Sequence, residues 1–139
     1  MCVDGLFYVM GGAFESDDGD DNFTWAMNCY DPSAEEWRAL PKMSEARSGC
    51  KAVCIDGLVY VVGGVVGRDD SSSASASAEC YDPHRQQWRK LPDMGIARAE
   101  CVAACLDGLL CVVRGECEGI PLASAECYDA STGQWCMYR

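Results

Sequence analysis

The sequence predicts an all-β fold built from three stacked copies of one unit, and three observations support this. An Asp-Gly pair precedes an apolar run three times, at Asp4-Gly5, Asp56-Gly57 and Asp107-Gly108. A tyrosine precedes a tryptophan by seven residues three times, in the pairs Tyr30/Trp37, Tyr81/Trp88 and Tyr128/Trp135. No segment carries a sustained helical period. A period of about 50 residues is typical of stacked supersecondary units.

The second copy of the unit indicates how each copy folds. Asp56-Gly57 separates two apolar runs, and glycine accepts the positive φ that a tight hairpin turn requires. The run after this turn does not alternate, so both of its faces are predicted to be buried. Gly63-Gly64 ends that run, where a side chain would obstruct a close backbone approach. We predict four antiparallel strands in this copy, at residues 50–55, 58–62, 78–81 and 87–91.

A sheet that is apolar on both faces must be covered on both faces. Stacking copies of the sheet around an axis achieves this, and the result is a β-propeller. The predicted fold is therefore a partial β-propeller of about three four-stranded antiparallel blades. We place blade one at about residues 1–43 with an incomplete first strand, blade two at about 44–94, and a degenerate blade three at about 95–139.

Three blades are fewer than the roughly 4–8 of a closed propeller. One expectation is a fragment or shortened chain, whose open sheet edges and faces invite association. The other expectation is self-association, in which two chains pair into a six-blade ring, since C2 dimers are the commonest oligomers.

The net charge of the chain limits the classes of partner that it can bind. Among its 139 residues, 22 acidic side chains against 11 basic ones give a net charge of −11. This argues against nucleic acid and anionic membranes as partners, because both need basic patches. It suits a basic protein or peptide ligand, although the same charge also serves solubility. No apolar run approaches the roughly 20 residues of a membrane helix, and nothing resembles a signal peptide.

The 11 cysteines follow the repeat. Cys29, Cys80 and Cys127 each precede a Tyr-Asp pair, and equivalent positions of stacked units lie too far apart for a disulfide. We therefore expect reduced cysteines that act as small hydrophobes, which predicts a cytoplasmic location. Cys50 and Cys54 lie too far apart for a compact zinc site, and we predict no cofactor and no metal.

These residues resemble kelch repeats. That family joins an apolar strand, a double glycine, a separated Tyr/Trp pair and an arginine before the next unit. The double glycines here are Gly11-Gly12 and Gly63-Gly64, and the arginines are Arg47 and Arg98. The amino-acid sequence of the repeats is most similar to the kelch half of BTB–kelch proteins, for example at Ala78-Glu79-Cys80-Tyr81-Asp82-Pro83. In the third copy, Arg114-Gly115 replaces the double glycine, and we expect this large cation to loosen or reshape blade three.

The resemblance implies a non-catalytic protein–protein interaction module, with substrate recognition for a cullin-type ubiquitin ligase as its specific role. An actin- or cytoskeleton-binding kelch protein is an alternative that these residues do not separate from the first. A fragment of a kelch-type propeller enzyme, an oxidase or a sugar epimerase, is a third reading. The one histidine, His84, lies in a predicted turn far from any candidate partner, so we predict that the chain is not an enzyme.

The resemblance also implies where a partner binds. In kelch propellers the loops between second and third strands, with the arginines before the first strands, commonly build the binding face. The equivalent loops, at 13–26, 65–76 and 116–123, differ from one another, and variable loops on a repeated scaffold usually carry recognition. Carboxylates and Trp25 in the first loop suit a basic peptide. The predicted partner-binding residues are Glu15, Asp17, Asp18, Asp20, Asp21, Trp25, Arg47, Arg68 and Arg98.

Alternatives stay open at these positions. Arg47 and Arg98 recur in step with the repeat, which favours a structural role in hydrogen bonding to the neighbouring blade. The acidic first loop can equally be a solvated loop without a ligand. A calcium site at residues 17–22 is a weaker alternative, because the carboxylates lack the spacing of an EF-hand loop.

Overall fold

The protein is described by a computed structural model that covers residues 1–15, 17, 21–67 and 72–138. These residues form three four-stranded antiparallel sheets and three short two-stranded hairpins. None of the described residues forms a helix. The predicted all-β architecture of three blades is therefore confirmed. Within the described part of the chain, no helix is long and apolar enough to cross a membrane.

Each blade pairs its four strands in chain order. Blade one contains β1 (Cys2–Val3), β2 (Leu6–Met10), β5 (Met27–Asp31) and β6 (Glu36–Leu40). Blade two contains β7 (Lys51–Ile55), β8 (Leu58–Val62), β11 (Ala78–Asp82) and β12 (Gln87–Lys90). Blade three contains β13 (Val102–Leu106), β14 (Leu109–Val113), β17 (Ala125–Asp129) and β18 (Gln134–Tyr138).

A short hairpin joins the second and third strands of every blade, where the sequence predicted open loops. We call these hairpins one, two and three. Because the second strand runs toward the hairpin in each blade, all three hairpins lie at one end of the blades and the Asp-Gly turns lie at the other. The hairpins pair β3 (Ala13–Glu15) with β4 (Asp21–Phe23), β9 (Val65–Val66) with β10 (Ser73–Ala74), and β15 (Glu116–Cys117) with β16 (Ile120–Pro121).

The Asp-Gly pairs form the predicted tight turns between first and second strands. Asp56 has a φ of 50° and Gly57 a φ of 77°, and the other two pairs have nearly the same values. Two successive positive φ angles are typical of a type I′ turn, whose twist matches that of the strands it joins. This conformation places the first two strands of each blade in register.

Blade two is buried on both faces because a blade packs against each of them. Val59 and Val61 face blade one, and Tyr60 and Val62 face blade three. The three valines are fully buried, which explains why this strand is apolar without alternation. The outer face of blade one has no such cover in this chain, and Phe7 on it is 44% exposed.

In blades two and three, a tryptophan from the fourth strand connects the blade to the one before it. The indole nitrogen of Trp88 donates to the carbonyl oxygen of Pro41 at 2.8 Å, and that of Trp135 donates to Pro92 at 2.8 Å. Each ring also packs on a tyrosine of its own blade, with 5.1 Å between the centroids of Tyr81 and Trp88. The tryptophans thus serve both the blade and the contact between blades.

The first glycine of each double glycine lies against the following blade. A Cβ atom on Gly11 would lie 2.8 Å from the carbonyl oxygen of Arg47, and one on Gly63 would clash with the carbonyl oxygen of Arg98. Both glycines also have positive φ angles, of 66° and 62°. Glycine is needed here for two reasons, the left-handed backbone and the close approach of the next blade.

The expectation that Arg114 loosens or reshapes blade three is wrong. Arg114 adopts the same left-handed conformation as the glycines, with a φ of 60°, and β13 pairs with β14 in full register. The physical reason is that no further blade of this chain lies against this position. The side chain is therefore exposed, and the cost is confined to the strained backbone of a non-glycine residue.

The expectation that all cysteines are reduced is also wrong at one pair. Cys111 on β14 and Cys127 on β17 lie directly opposite each other and form a disulfide. The argument from repeat spacing excluded bridges between equivalent positions, but this bridge joins neighbouring strands of one blade. The other nine cysteines are free thiols.

The approach of the next blade at Gly63 can be separated from its backbone strain by two matched substitutions. Gly63→Ala and Gly57→Ala both place alanine at a positive φ, but a Cβ on Gly57 meets no atom within 4 Å. We expect Gly57→Ala to lower the free energy of unfolding by about 1–2 kcal/mol through strain alone. Gly63→Ala should lose about 1–3 kcal/mol more through overpacking. Urea denaturation of both variants checks this, and equal losses would contradict the packing argument.

Candidate partner-binding face

The three hairpins stand side by side along one end of the blades and form the candidate binding face. Isolated backbone bridges tie each hairpin region to the segment before a first strand, through Thr24 with Arg47, Ser48 with Val65, and Ala99 with Glu116. β10 of hairpin two also contacts β15 of hairpin three. The face is thus a continuous backbone surface, although the sequences of the hairpins differ.

Arg47 lies beneath this face and is fully buried. Its guanidinium forms an ion pair with Glu79, with Nη2 donating to Oε2 at 3.0 Å. Nη1 donates to the backbone oxygens of Gly63 at 2.9 Å and Ser77 at 3.3 Å, which are the two ends of hairpin two. The other carboxylate oxygen of Glu79 accepts from the backbone N–H of Ser44 at 2.9 Å. Arg47 therefore holds the base of hairpin two.

Arg98 repeats this arrangement one blade later and is also fully buried. Its Nε and Nη2 donate to Oε1 of Glu126 at 3.2 Å and 3.1 Å, and its Nη1 donates to the backbone oxygens of Arg114 at 2.9 Å and Ser124 at 3.0 Å. Glu126 accepts in turn from the backbone N–H groups of Gly95 at 2.6 Å and Ile96 at 3.1 Å. These contacts are the kind that the structural interpretation of the arginines expects.

The two glutamates were missed by sequence reasoning. Glu79 and Glu126 each precede a Cys-Tyr-Asp step in two identical pentapeptides, so the repeat marked them. Both side chains are buried, with 1% of the residue exposed. A buried carboxylate needs a cation and hydrogen-bond donors, which is what the recurring arginine supplies. A search for acids that recur with the arginines would have found the pair.

Glu45 is the part of this network that reaches the surface. Its side chain is 39% exposed and lies 3.4 Å from Nη2 of Arg47. It accepts a hydrogen bond of 2.7 Å from the hydroxyl of Ser77, which is also within 2.9 Å of the hydroxyl of Ser75. Glu45 therefore presents a carboxylate at the rim of hairpin two, a residue that the sequence did not single out.

Hairpin one supplies exposed aromatic surface. Phe14 is 54% exposed and Trp25 is 48% exposed. The ammonium of Lys42 lies 5.6 Å from the centroid of the Trp25 ring, which is within the range of a cation–π contact. Trp25 was predicted to meet a cation of a ligand, and in the free chain a cation from the next segment already lies over it.

The predicted acidic residues of hairpin one are only partly described. Asp17 is exposed at the tip, and Glu15 and Asp21 lie opposite each other in the register of β3 and β4. Asp18, Asp20 and Arg68 lie outside the described residues, as do residues 18–20 of the predicted calcium segment. Within the described part of the chain, no three His, Cys, Asp or Glu side chains are placed to hold a metal ion.

Other acidic side chains continue along the face. Glu100, Glu116 and Glu118 are exposed around hairpin three, beside the exposed cation of Arg114. Glu100 also lies 3.9 Å from the ammonium of Lys51. His84, in contrast, lies in the turn between β11 and β12, at the end of blade two opposite the hairpins. The described face is thus mainly acidic, with exposed aromatic rings on hairpin one.

Stacked four-stranded blades that carry their hairpins on one end define a partial β-propeller with a loop-built face. A family profile described as the Kelch motif matches residues 46–95 and 97–138. The chain therefore belongs to the kelch-repeat family, as its glycine, arginine and aromatic spacing indicated.

Individual relatives cover this chain better than it covers them. Over 111 residues it is 34% identical to Kelch-like ECH-associated protein 1B of Danio rerio. The match covers 80% of this chain and 18% of that protein. Over 137 residues it is 26% identical to Kelch repeat protein M-T8 of Myxoma virus. The match covers 97% of this chain and 25% of that protein. The chain thus spans about a quarter or less of the length of these curated relatives.

A solved structure supports the fold. The chain superposes on the structure of YjhT with a TM-score of 0.85 and 19% sequence identity. The superposition covers 100% of this chain and 50% of that one. At this identity the similarity concerns the fold alone. Two chains of this length would be needed to match the length of that structure.

The buried Arg98–Glu126 pair should stabilise the fold far more than a surface pair does. Arg98→Met leaves a buried carboxylate without its cation and should lower the free energy of unfolding by about 3–5 kcal/mol. Arg98→Met combined with Glu126→Gln should recover part of this, because the neutral amide removes the unpaired buried charge and its one oxygen still accepts from the N–H of Gly95 or of Ile96.

The matched control is Arg38→Met. Arg38 pairs with Asp31 at 2.9 Å, but its side chain is 51% exposed. Loss of such an exposed pair should cost about 0–1 kcal/mol. Chemical denaturation of the three variants gives the comparison, and similar losses for Arg98→Met and Arg38→Met would refute the assigned role.

Proposed function

We propose that the chain is a non-catalytic protein-interaction module whose hairpin face binds a basic segment of a partner protein. The observation that carries this proposal is the exposed acidic and aromatic surface on one end of the blades. Carboxylates offer charge-assisted hydrogen bonds to Lys and Arg, and aromatic rings offer cation–π and apolar contact. Arg47 and Arg98 position the hairpins in this proposal and do not touch the partner.

The finer role that we propose is substrate recognition for a cullin-type ubiquitin ligase in the cytoplasm. The support is family membership and relatives such as Kelch repeat and BTB domain-containing protein 12 of Danio rerio, which is 33% identical over 98 residues. Raised partner abundance in cells depleted of the chain would favour this role. Co-sedimentation with filamentous actin and unchanged partner abundance would favour the cytoskeletal alternative. The propeller-enzyme alternative has less support, because the one histidine lies at the opposite end.

The charge of the hairpin face should determine peptide binding. The test variant combines Asp17→Asn, Glu116→Gln and Glu118→Gln, and the probe is a labelled Arg/Lys-rich peptide measured by fluorescence anisotropy. Exposed pairs contribute about 0.2–1 kcal/mol each, so the triple variant should bind roughly 3-fold to 100-fold more weakly. Binding should also weaken with added salt, since exposed charges are screened.

The matched control changes the same charge at the other end of the blades. Asp4→Asn, Asp56→Asn and Asp107→Asn keep the type I′ turns, because Asn-Gly suits them as well as Asp-Gly does. This triple variant should bind the probe as the unmodified chain does. If both triple variants weaken binding equally, the peptide senses net charge only, and the assignment of the hairpin face is wrong.

Self-association into a six-blade ring is a separate proposal for the partner of this chain. The carbonyl that packs against Gly63 belongs to Arg98, nine residues before Asp107, and the position nine residues before Asp4 is not in this sequence. A ring of two such chains would therefore close through the outer faces of blades one and three, where Phe7 and Val113 are exposed. The ring predicts a dimer of the unmodified chain in light scattering, and a monomer at the same concentration would contradict it.

A further inference from the structure

The same register position in the three blades carries a row of three side chains on the second, third and fourth strands. In blades one and two the row reads tyrosine, cysteine, arginine. In blade three it reads cysteine, cysteine, cysteine. The rows are Tyr8–Cys29–Arg38, Tyr60–Cys80–Arg89 and Cys111–Cys127–Cys136.

The row in blade two shows what the ordinary residues do. Tyr60 and Arg89 lie directly opposite Cys80 on the two neighbouring strands. Burial raises the pKa of this thiol, so it stays protonated and unreactive near neutral pH. In blade three both polar partners are replaced by thiols, which turns an inert row into one that can form and exchange disulfides.

The geometry of the third row suits exchange. Directly opposite residues of antiparallel strands have Cα atoms about 4.5–5.5 Å apart, within or close to the range that a disulfide spans. Cys127 is the middle member, bonded to Cys111 on one side and opposite Cys136 on the other. Neighbouring residues of a row point to the same face of the sheet, so the three cysteines follow one line across the strands. Displacement at sulfur requires an in-line approach of the attacking thiolate.

The three cysteines of this row differ in their exposure to solvent. Cys136 is exposed and carries a free thiol, whereas Cys111 is 6% exposed and Cys127 is half-buried. All three lie on the side of blade three that faces away from blade two, since Leu110 and Val112 on the same strand face blade two. No described blade covers this side. Cys136 is therefore the member of the row that solvent reaches most freely.

We propose that Cys111, Cys127 and Cys136 form a thiol–disulfide exchange site. The thiolate of Cys136 attacks Sγ of Cys127, a Cys127–Cys136 bond forms, and the Cys111–Cys127 bond breaks. Cys111 leaves as a thiolate and takes up a proton from solvent, which balances the proton that Cys136 released. The number of disulfides is unchanged, so no oxidant or reductant is consumed. The cross-link moves from the inner strand pair of blade three, β14 with β17, to the outer pair, β17 with β18.

Tryptic peptide mapping distinguishes the two linkages. Trypsin cuts after Arg98 and Arg114, so Cys111 falls in peptide 99–114 while Cys127 and Cys136 fall together in peptide 115–139. A Cys111–Cys127 bond joins the two peptides. A Cys127–Cys136 bond instead closes a loop within peptide 115–139 and releases peptide 99–114. The probe is the oxidised chain itself. It is incubated near pH 8.5, which is about the ordinary pKa of a cysteine thiol, and is then acid-quenched and alkylated.

The unmodified chain should yield both the joined peptides and the closed-loop peptide, with the second growing over time. Cys136→Ser should abolish the closed-loop peptide and leave only the joined form. The matched control is Cys117→Ser, which removes another half-buried thiol of the same peptide outside the row and should leave the closed-loop peptide unchanged. The proposal fails if the unmodified chain never forms the loop, or if the loop persists in Cys136→Ser or disappears in Cys117→Ser.

Discussion

The buried arginine–glutamate pair is the interaction on which the rest of the structure depends. Arg47 and Arg98 each connect three parts of the chain: the segment before a first strand, the third strand that carries Glu79 or Glu126, and the two ends of a hairpin. A buried charge is costly unless it is paired and hydrogen-bonded. The hydrogen bonds of each pair therefore form only when strand, segment and hairpin are all in place, although Nε of Arg47 has no partner among the described residues. This requirement gives the hairpins a fixed base although their own sequences vary.

Contact between blades imposes the second constraint. Glycine stands where the next blade approaches, at Gly11 and Gly63. In blade one, Asn28 occupies the position of Glu79 and Glu126, so its third strand buries no carboxylate that needs a cation. The residue found at each of these positions therefore depends on the packing and charge around it.

Much of the fold could be predicted from the sequence because its determinants are local. Asp56-Gly57 adopts the predicted turn since glycine alone accepts its φ without strain, and residues 58–62 form the predicted strand over the same bounds. The predictions for Arg114 and Cys111 were wrong. The cost of a side chain at residue 114 depends on an atom of another blade, and the Cys111–Cys127 bond depends on strand register. Neither is visible from spacing along the chain.

The sequence by itself determined the repeat, the strand order within each blade and the family, because turn chemistry and apolar periodicity act over a few residues. Only the tertiary structure decided what the marked residues do. Arg47 and Arg98 are conspicuous in the sequence, but their burial follows from carboxylates about 30 residues away along the chain. Glu45 and the three-cysteine row emerge only when strands pair, since side chains from separate segments meet through register. Contacts between side chains of different strands depend on packing. The sequence shows which residues are present but not which of them are neighbours in space.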